Sequence, residues 1–338
     1  MEEFPSMLLR APRAAADLVT GLSAEDESTR LPALAEFFHP GLDPVSQREA
    51  IAARLNDTNL HARFLTVALL GRMGAPAAQD LAGALAETQP AQVRAAAAAA
   101  LAGIGAPAVA ASGALCAALA GKDIALRATA ALALSKIGEG AVSALTDLLG
   151  QPSAPPEAFL ALAGIGKPAA SAMEHLRQLA PTLSGENKVA CHIALAGISG
   201  EIGGVLPVLN QSYAEGGEVL RKIVVEQLGL LRAVGTPGTP LLIRALDDRD
   251  PAIRAAAALG LARVEAPAAE AVPPLIRALH DSNSDVQANA AIALASWCEK
   301  SAPALAALDQ LSTSTNSQTA ATARAAIAAI RSDERKPL

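Results

Sequence analysis

The chain has 338 residues, a formal net charge of −6, only 2% aromatic residues and 82 alanines. A net acidic chain lacks the basic footprint of a general nucleic-acid-binding protein, so no nucleic-acid partner is expected. With so few large rings, the core must depend on close approach of helices, and alanine is the strongest helix former. The three dispersed cysteines, Cys116, Cys191 and Cys298, cannot form a full disulfide framework, which indicates a reducing compartment and predicts a cytoplasmic protein.

Residues 1–29 are atypical and are predicted to be an N-terminal capping segment that covers the open core of the first repeat. An alternative interpretation is that residues 5–22 form a helix that docks on a membrane surface or on a partner. Two arginines, Arg10 and Arg13, are too few to favour membrane contact. The acidic N-terminus also lacks the basic region and long apolar stretch of a normal secretory signal.

From residue 30 to residue 331 the chain repeats with a period near 33 residues. The clearest copy, residues 246–264, is predicted to be a helix end, an Asp-rich turn and a second helix that opens at Pro251, capped by Asp248 or Asp250. The position of Arg254 in this copy serves as a marker. It recurs at Arg30, Arg63, Arg94, Arg127, Pro155, Lys188, Arg221, Gln287 and Ala320. The sequence therefore predicts an all-α fold, an α-solenoid (superhelix) of nine or ten antiparallel helix pairs.

Each repeat is expected to hold an inner helix, which carries the marker, and an outer helix that follows a short turn. The inner helices are predicted to begin near Leu60, Ala91, Ile124, Pro155, Glu186, Glu218, Pro251, Ser284 and Ser317. Residues 95–121 carry no charge over a length that could span a bilayer. Gly103, Gly105 and Pro107 interrupt this stretch at the inter-helix turn, so it is interpreted as part of the repeat array. Residues 332–338 are predicted to be a frayed polar tail.

The paired-helix unit resembles the HEAT repeat, and more closely its shorter bacterial form named after the phycobilin-lyase proteins. The residues that carry the resemblance are a turn Asp and a Val/Ile-Arg pair that follows it: Asp57 with Arg63, Asp248 with Ile253 and Arg254, and Asp281 with Val286. The resemblance implies that these Asp and Arg residues form a ladder between repeats. Because Pro155, Lys188 and Gln287 replace the arginine, we expect this ladder to be incomplete.

The outward face of the inner helices is the predicted binding site. Positions +1, +5 and +9 from each marker point away from the core, and the resemblance implies that this face is concave. It is mostly apolar with a few charges, which predicts a surface for a partner helix or peptide. The predicted partner-binding residues are Leu132, Lys136, Leu160, Val189, Ile193, Glu226, Leu259, Arg263 and Ile292. Tighter packing of the alanine-rich helices, which would bury these residues, is the alternative.

We therefore expect a non-catalytic protein–protein interaction scaffold, cytoplasmic and bacterial, without catalytic residues, metal ions or cofactors. The five histidines include no His-Glu dipeptide of the kind that binds iron in some enzymes of HEAT-repeat type. Two other functions stay open, a bilin-lyase-type enzyme subunit and a membrane-peripheral adaptor attached through residues 5–22. The apolar face could equally bind a second copy of the chain, so a homo-oligomer is also open.

Overall fold

The computed structural model describes residues 12–333, and over this range the chain folds into helices and turns without a strand. Two compact units divide between Ala172 and Met173. Each unit contains five consecutive helix pairs within the described range, an outer helix followed by an inner helix. Residues 1–11 of the predicted capping segment and 334–338 of the predicted tail lie outside the described residues.

The first unit contains helices α1 to α10, with outer helices odd-numbered and inner helices even-numbered. They are α1 (Ala15–Leu22), α2 (Glu27–Glu36), α3 (Arg48–Ala52), α4 (Leu60–Met73), α5 (Ala78–Gly83), α6 (Ala91–Ile104), α7 (Ser112–Leu119), α8 (Ile124–Ile137), α9 (Val142–Leu149) and α10 (Pro156–Ile165). Leu18 and Leu22 of α1 are buried, and α1 packs on α2 and α3. The apolar face of α1 therefore belongs to the core of this unit.

The second unit continues the same alternation. Its helices are α11 (Met173–Leu179), α12 (Gly185–Ser199), α13 (Leu206–Glu215), α14 (Glu218–Leu230), α15 (Thr239–Ala245), α16 (Pro251–Arg263), α17 (Ala268–Ala278), α18 (Ser284–Ala295), α19 (Leu305–Leu311) and α20 (Ser317–Asp333). The predicted starts of the inner helices are thus confirmed to within one residue.

Polar side chains fix these helix starts because they accept bonds from first-turn amides that have no partner within the helix. Asn59 accepts from the amides of His61 and Ala62 at the start of α4, and Asp123 accepts from Leu126 in α8. Asn283 caps α18 in the same way. Of the two predicted caps of α16, Asp250 accepts from the Ala252 amide at 2.8 Å.

Seven of the inner helices end at a turn eleven residues after the marker. In the first unit this position is glycine with positive φ, at Gly74, Gly105, Gly138 and Gly166. In the second unit Arg232, Glu265 and Cys298 hold φ values of 50°, 54° and 49° there. The turn at Gly105 divides the uncharged stretch 95–121 between α6 and α7, as predicted. Across residues 12–333, no helix has both the length and the apolar character that crossing a membrane requires.

The core of each unit lies between the inner and outer layers. On α16, the predicted core residues Ile253, Ala257 and Leu261 are fully buried, and Val264 just beyond the helix is buried with them. Inner helices also pack on one another, α16 against both α14 and α18. Alanine and glycine allow this close approach, since a Cβ at Gly229 of α14 would lie only 3.0 Å from the Cα of Gly260 in α16.

Candidate functional site

Arginine–aspartate pairs link neighbouring repeats, as the resemblance implied. The pairs are Arg30 with Asp57, Arg221 with Asp248, and Arg254 with Asp281. Arg254 donates from Nε at 2.7 Å and from Nη2 at 2.8 Å to the two oxygens of Asp281. The Asn283 amide donates to the same carboxylate at 2.8 Å. We call this arrangement of a marker arginine, a carboxylate 27 residues later and the amide two residues beyond it a ladder rung.

The ladder is incomplete, also as expected. Arg127 pairs instead with Glu157 at 3.1 Å, and Arg63 donates to the side-chain oxygen of Gln89 at 3.1 Å. Gln287 donates to the Asp281 carbonyl at 2.7 Å. The contacts of Arg127 and Arg63 join neighbouring repeats without the bidentate geometry that makes Arg–carboxylate pairs strong, whereas the Gln287 bond stays within one repeat.

The complete rungs hold the aspartate charges in place. Bonds from Arg254, opposed by burial, lower the pKa of Asp281 below its ordinary value. For Asp248, burial raises the pKa, but the bonds from Arg221, the Asp250 amide and Tyr213 outweigh it and the pKa is lowered. The rungs therefore stabilise the array while their carboxylates are ionised.

A tyrosine that the sequence analysis did not single out joins one rung. Tyr213 of α13 donates its hydroxyl to Asp248 at 2.7 Å, and the Arg244 guanidinium stacks on its ring, 4.8 Å from the centroid. Tyr213 is the only tyrosine of the chain, and its position 35 residues before Asp248 follows no recurring pattern that the sequence analysis used.

The predicted outward face forms a groove in the second unit. Glu226, Leu259 and Arg263 line one cavity of about 430 Å³ on the inner helices α14, α16 and α18. The other residues that line the groove are Lys222, Gly229, Ala252, Ala255, Ala256, Gly260, Asp285, Ala288 and Asn289. We call this surface the inner-helix groove. Its small floor residues let a ligand approach the helix backbones closely.

Charges of both signs border the inner-helix groove. Lys222 and Glu226 form an exposed i,i+4 pair on α14 with 3.8 Å between Nζ and Oε1. Arg263 is exposed at the end of α16. Among the described residues, the Arg263 side chain makes no hydrogen bond or ion pair.

Large exposed apolar side chains concentrate on the inner helices. Ile292 of α18 and Leu132 of α8, both predicted site residues, are 47% and 51% exposed. The others on inner helices are Leu60, Ile124, Val219 and Leu230, which the sequence analysis did not select. Leu230 stands at position +9 from Arg221, one of the positions that point outward, so its exposure follows from the same periodicity.

Two predicted site residues are not available to a partner. Val189 and Ile193 of α12 are 0% and 1% exposed, so predicting them as partner contacts was wrong. The helix is rotated relative to its counterparts, since Leu195 is only half-buried at position +7, where every other inner helix has a buried residue. This part of the predicted outward face is therefore buried by packing.

The remaining predicted residues of the first unit lie on two inner helices. Lys136 is exposed on α8 with Leu132, and Leu160 is half-buried on α10. They continue the predicted face but line none of the cavities described here.

The described residues contain no group of three His, Cys, Asp or Glu side chains placed to hold a metal ion. Burial raises the pKa of the Cys116 and Cys191 thiols to about 12, which leaves both sulfurs protonated at neutral pH and poorly nucleophilic. Neither cysteine is therefore poised for chemistry.

Comparison with known proteins agrees with this architecture. Residues 238–331 match the family described as HEAT repeats. Kap121p, in its structure bound to Pho4p, has 12% sequence identity to this chain and a TM-score of 0.62. The match covers 95% of this chain and 42% of that one. Importin beta is 15% identical with a TM-score of 0.55, covering 97% and 49%. This chain thus spans less than half of either protein.

The protein is therefore a HEAT-like α-solenoid. The CpcE–CpcF complex of phycocyanin lyase from Nostoc sp. PCC7120 is 22% identical over 70% of this chain and 93% of that chain, with a TM-score of 0.45. No curated protein matches the sequence.

Proposed function

We propose that the protein is a non-catalytic scaffold that binds a helix or extended peptide of a partner protein in the inner-helix groove of the second unit. The main support for this proposal is that Glu226, Leu259 and Arg263 line the same groove. Each of the three was predicted separately from the repeat pattern. Solvent-exposed Leu230 and Ile292 lie on the same inner helices as the groove residues.

The physical roles divide between the floor and the rim. Alanine and glycine on the floor admit a backbone or a small apolar side chain, while Leu259 and Ile292 offer apolar area to a partner's anchor residue. Arg263 and the Lys222–Glu226 pair fix the orientation, because charges at the edge of an interface contribute more to specificity than to affinity. A partner with one acidic group near an apolar anchor fits this arrangement.

A related fold in a protein complex supports the same function. Kap121p, which shares the fold, was determined in a complex with Pho4p. The comparison offers a general precedent for protein binding on such an array, and the choice of groove rests on the residues of this chain.

The test is photo-crosslinking from the groove. A benzophenone amino acid replaces Ala256, and covalent adducts from the source cells are compared between the otherwise native chain and a Leu259→Asp/Arg263→Glu variant. Both should show the same circular dichroism spectrum and melting temperature, because Leu259 is half-buried and Arg263 exposed. We expect a discrete adduct that the variant loses.

A control variant carries an apolar-to-aspartate substitution outside the inner-helix groove. Val45 is 40% exposed on the turn before α3, so Val45→Asp introduces the same residue as the Leu259→Asp change at an apolar position off the inner-helix face. The Val45→Asp variant should retain the adduct. The same adducts from all three chains would refute binding in this groove.

A further inference from the structure

One ladder rung lacks its carboxylate. Arg94 of α6 stands at the marker position, and the residue 27 positions later, where the complete rungs have aspartate, is Gly121. The Nε atom of Arg94 is buried and has no hydrogen-bond partner among the described residues. Burying a charged donor without a partner costs free energy, so an acceptor at this place would be favourable.

A cavity lies where the missing carboxylate would be. It has a volume of about 890 Å³, within the range of about 300–1,000 Å³ that small-molecule sites occupy. Arg94 and Gly121 both line it, and most of the remaining wall is alanine from α5, α7 and the turns that follow them. Position 121 carries no Cβ or carboxylate, and Arg94 lines the cavity while its Nε atom stays covered.

The complete rungs show how such a site holds a carboxylate. In each of them the amide two residues after the aspartate donates to the carboxylate, as Asn59 does to Asp57 at 2.9 Å. The corresponding amide here belongs to Asp123, and it donates to no other described residue. The Asp123 side chain caps α8, accepting from the Leu126 amide at 3.1 Å. The donor set of a rung is therefore present around the cavity.

We propose that this incomplete rung binds a monocarboxylate carried on a short aliphatic body. Arg94 supplies a bidentate guanidinium, the Asp123 amide supplies a third donor, and the alanine walls contact the aliphatic part. The exposed Glu87 and Lys122 also line the cavity and carry opposite charges, so together they add no net charge beside Arg94. A glutamate side chain of a bound peptide and a free short-chain acid present the same chemistry.

Binding is measured by nitrogen-15 NMR at the Nε–H of Arg94 and the amide of Asp123. The probes are butyrate, for a free acid, and the peptide acetyl-Ala-Glu-Ala-amide, for a side chain; butyramide and the matching glutamine peptide are the neutral controls. We expect saturable shifts of both signals with at least one acid, and affinity at least about tenfold weaker for its amide, because charge-assisted hydrogen bonds are the stronger kind. A shift with butyrate alone assigns a free acid, and one with the peptide assigns a protein partner.

Two variants at Gly121 test whether the ligand binds at the place of the missing carboxylate. Gly121→Asp supplies the carboxylate from within the chain and should abolish binding while raising the melting temperature relative to Gly121→Ala. The alanine control carries the same Cβ, which would lie 3.1 Å from the Ala118 carbonyl oxygen. Its affinity should stay within a few-fold of that of the native protein, which corresponds to a difference in binding free energy of about 1 kcal/mol or less.

Variants of Arg94 test the geometry of recognition. Arg94→Gln should lose binding, and Arg94→Lys should weaken it, since an ammonium keeps the charge but lacks the planar fork. The Asp123 amide reports binding in both variants. No saturable shift with either acid, equal shifts with the amides, or undiminished binding to a folded Gly121→Asp variant would overturn the proposal.

Discussion

Residues at the same repeat position differ in their surroundings. Leu132 and Ile193 both stand at position +5 of an inner helix, yet Leu132 is half-exposed and Ile193 is buried. Ile193→Asp should cost more than about 4 kcal/mol of unfolding free energy or prevent folding, since it buries an unpaired charge. Leu132→Asp should change that free energy by about 0.5 kcal/mol or less. Urea unfolding followed by circular dichroism checks both, and a stable Ile193→Asp variant would contradict the core assignment.

The bond between Tyr213 and Asp248 allows a second test on a single side chain. Tyr213→Phe removes the hydroxyl and keeps the ring under Arg244, while Asp248 retains its bonds from Arg221 and Asp250. We expect a loss of about 1–2 kcal/mol in unfolding free energy, the usual size for a hydrogen bond to a charged group. Urea unfolding at pH 7 measures it. A loss near zero would mean that the carboxylate is fully satisfied without the tyrosine.

At the scale of one helix, the sequence was sufficient to predict where the inner helices begin but not how each helix is rotated about its own axis. Starts such as Leu60 and Pro251 follow from local chemistry, a capping side chain or a proline in the first turn, and they appear where predicted. The rotation of α12 depends on what packs around it. Because α12 combines apolar residues at both core and outward positions, the periodicity of its sequence did not determine which face would be buried.

The turns that end the inner helices give a prediction about backbone conformation. Gly138 has φ of +78° and ψ of −140°, and a Cβ there would meet nothing within 4 Å, so only the backbone penalises a side chain. Gly138→Ala should therefore cost about 1–3 kcal/mol of unfolding free energy.

The counterpart in the second unit should respond in the opposite direction. Glu265 holds φ of 54° as a residue other than glycine, so Glu265→Gly should relieve strain and gain up to about 1 kcal/mol. Thermal unfolding of the two single variants beside the native chain provides the comparison. Destabilisation by Glu265→Gly would show that the Glu265 side chain contributes more than its backbone costs.

At the scale of the whole molecule, repetition made the array and its outward face predictable. One copy, residues 246–264, was enough to place markers along the chain, and the face that they define contains the groove residues Glu226, Leu259 and Arg263. The incomplete rung at Arg94 was present in the same pattern, as glycine at 121 where three other copies have aspartate. The cavity beside this rung could not be predicted from the sequence, because its volume depends on how the alanine-rich walls pack.

The three complete rungs make stability depend on pH. The pKa values of Asp57, Asp248 and Asp281 are all lowered from 3.8 by their arginine and amide donors, which outweigh burial at Asp57 and Asp248. At acidic pH the unfolded chain takes up protons at these groups before the folded chain does. Their stabilisation is therefore complete above about pH 5 and is lost as the pH falls through the folded pKa values, below 3.8.

The expected result is a urea midpoint that falls steeply between about pH 5 and pH 3 in the native protein. Replacing Asp57, Asp248 and Asp281 together by asparagine should lower the midpoint at pH 7 and flatten the acid limb, because the linked protons are gone. A control with the exposed Glu87, Glu139 and Glu201 changed to glutamine makes the same change in net charge and should keep the steep limb. If the asparagine variant kept a native slope, acid sensitivity would arise outside the ladder, and the rungs would be aligning neighbouring repeats without coupling their stability to protonation.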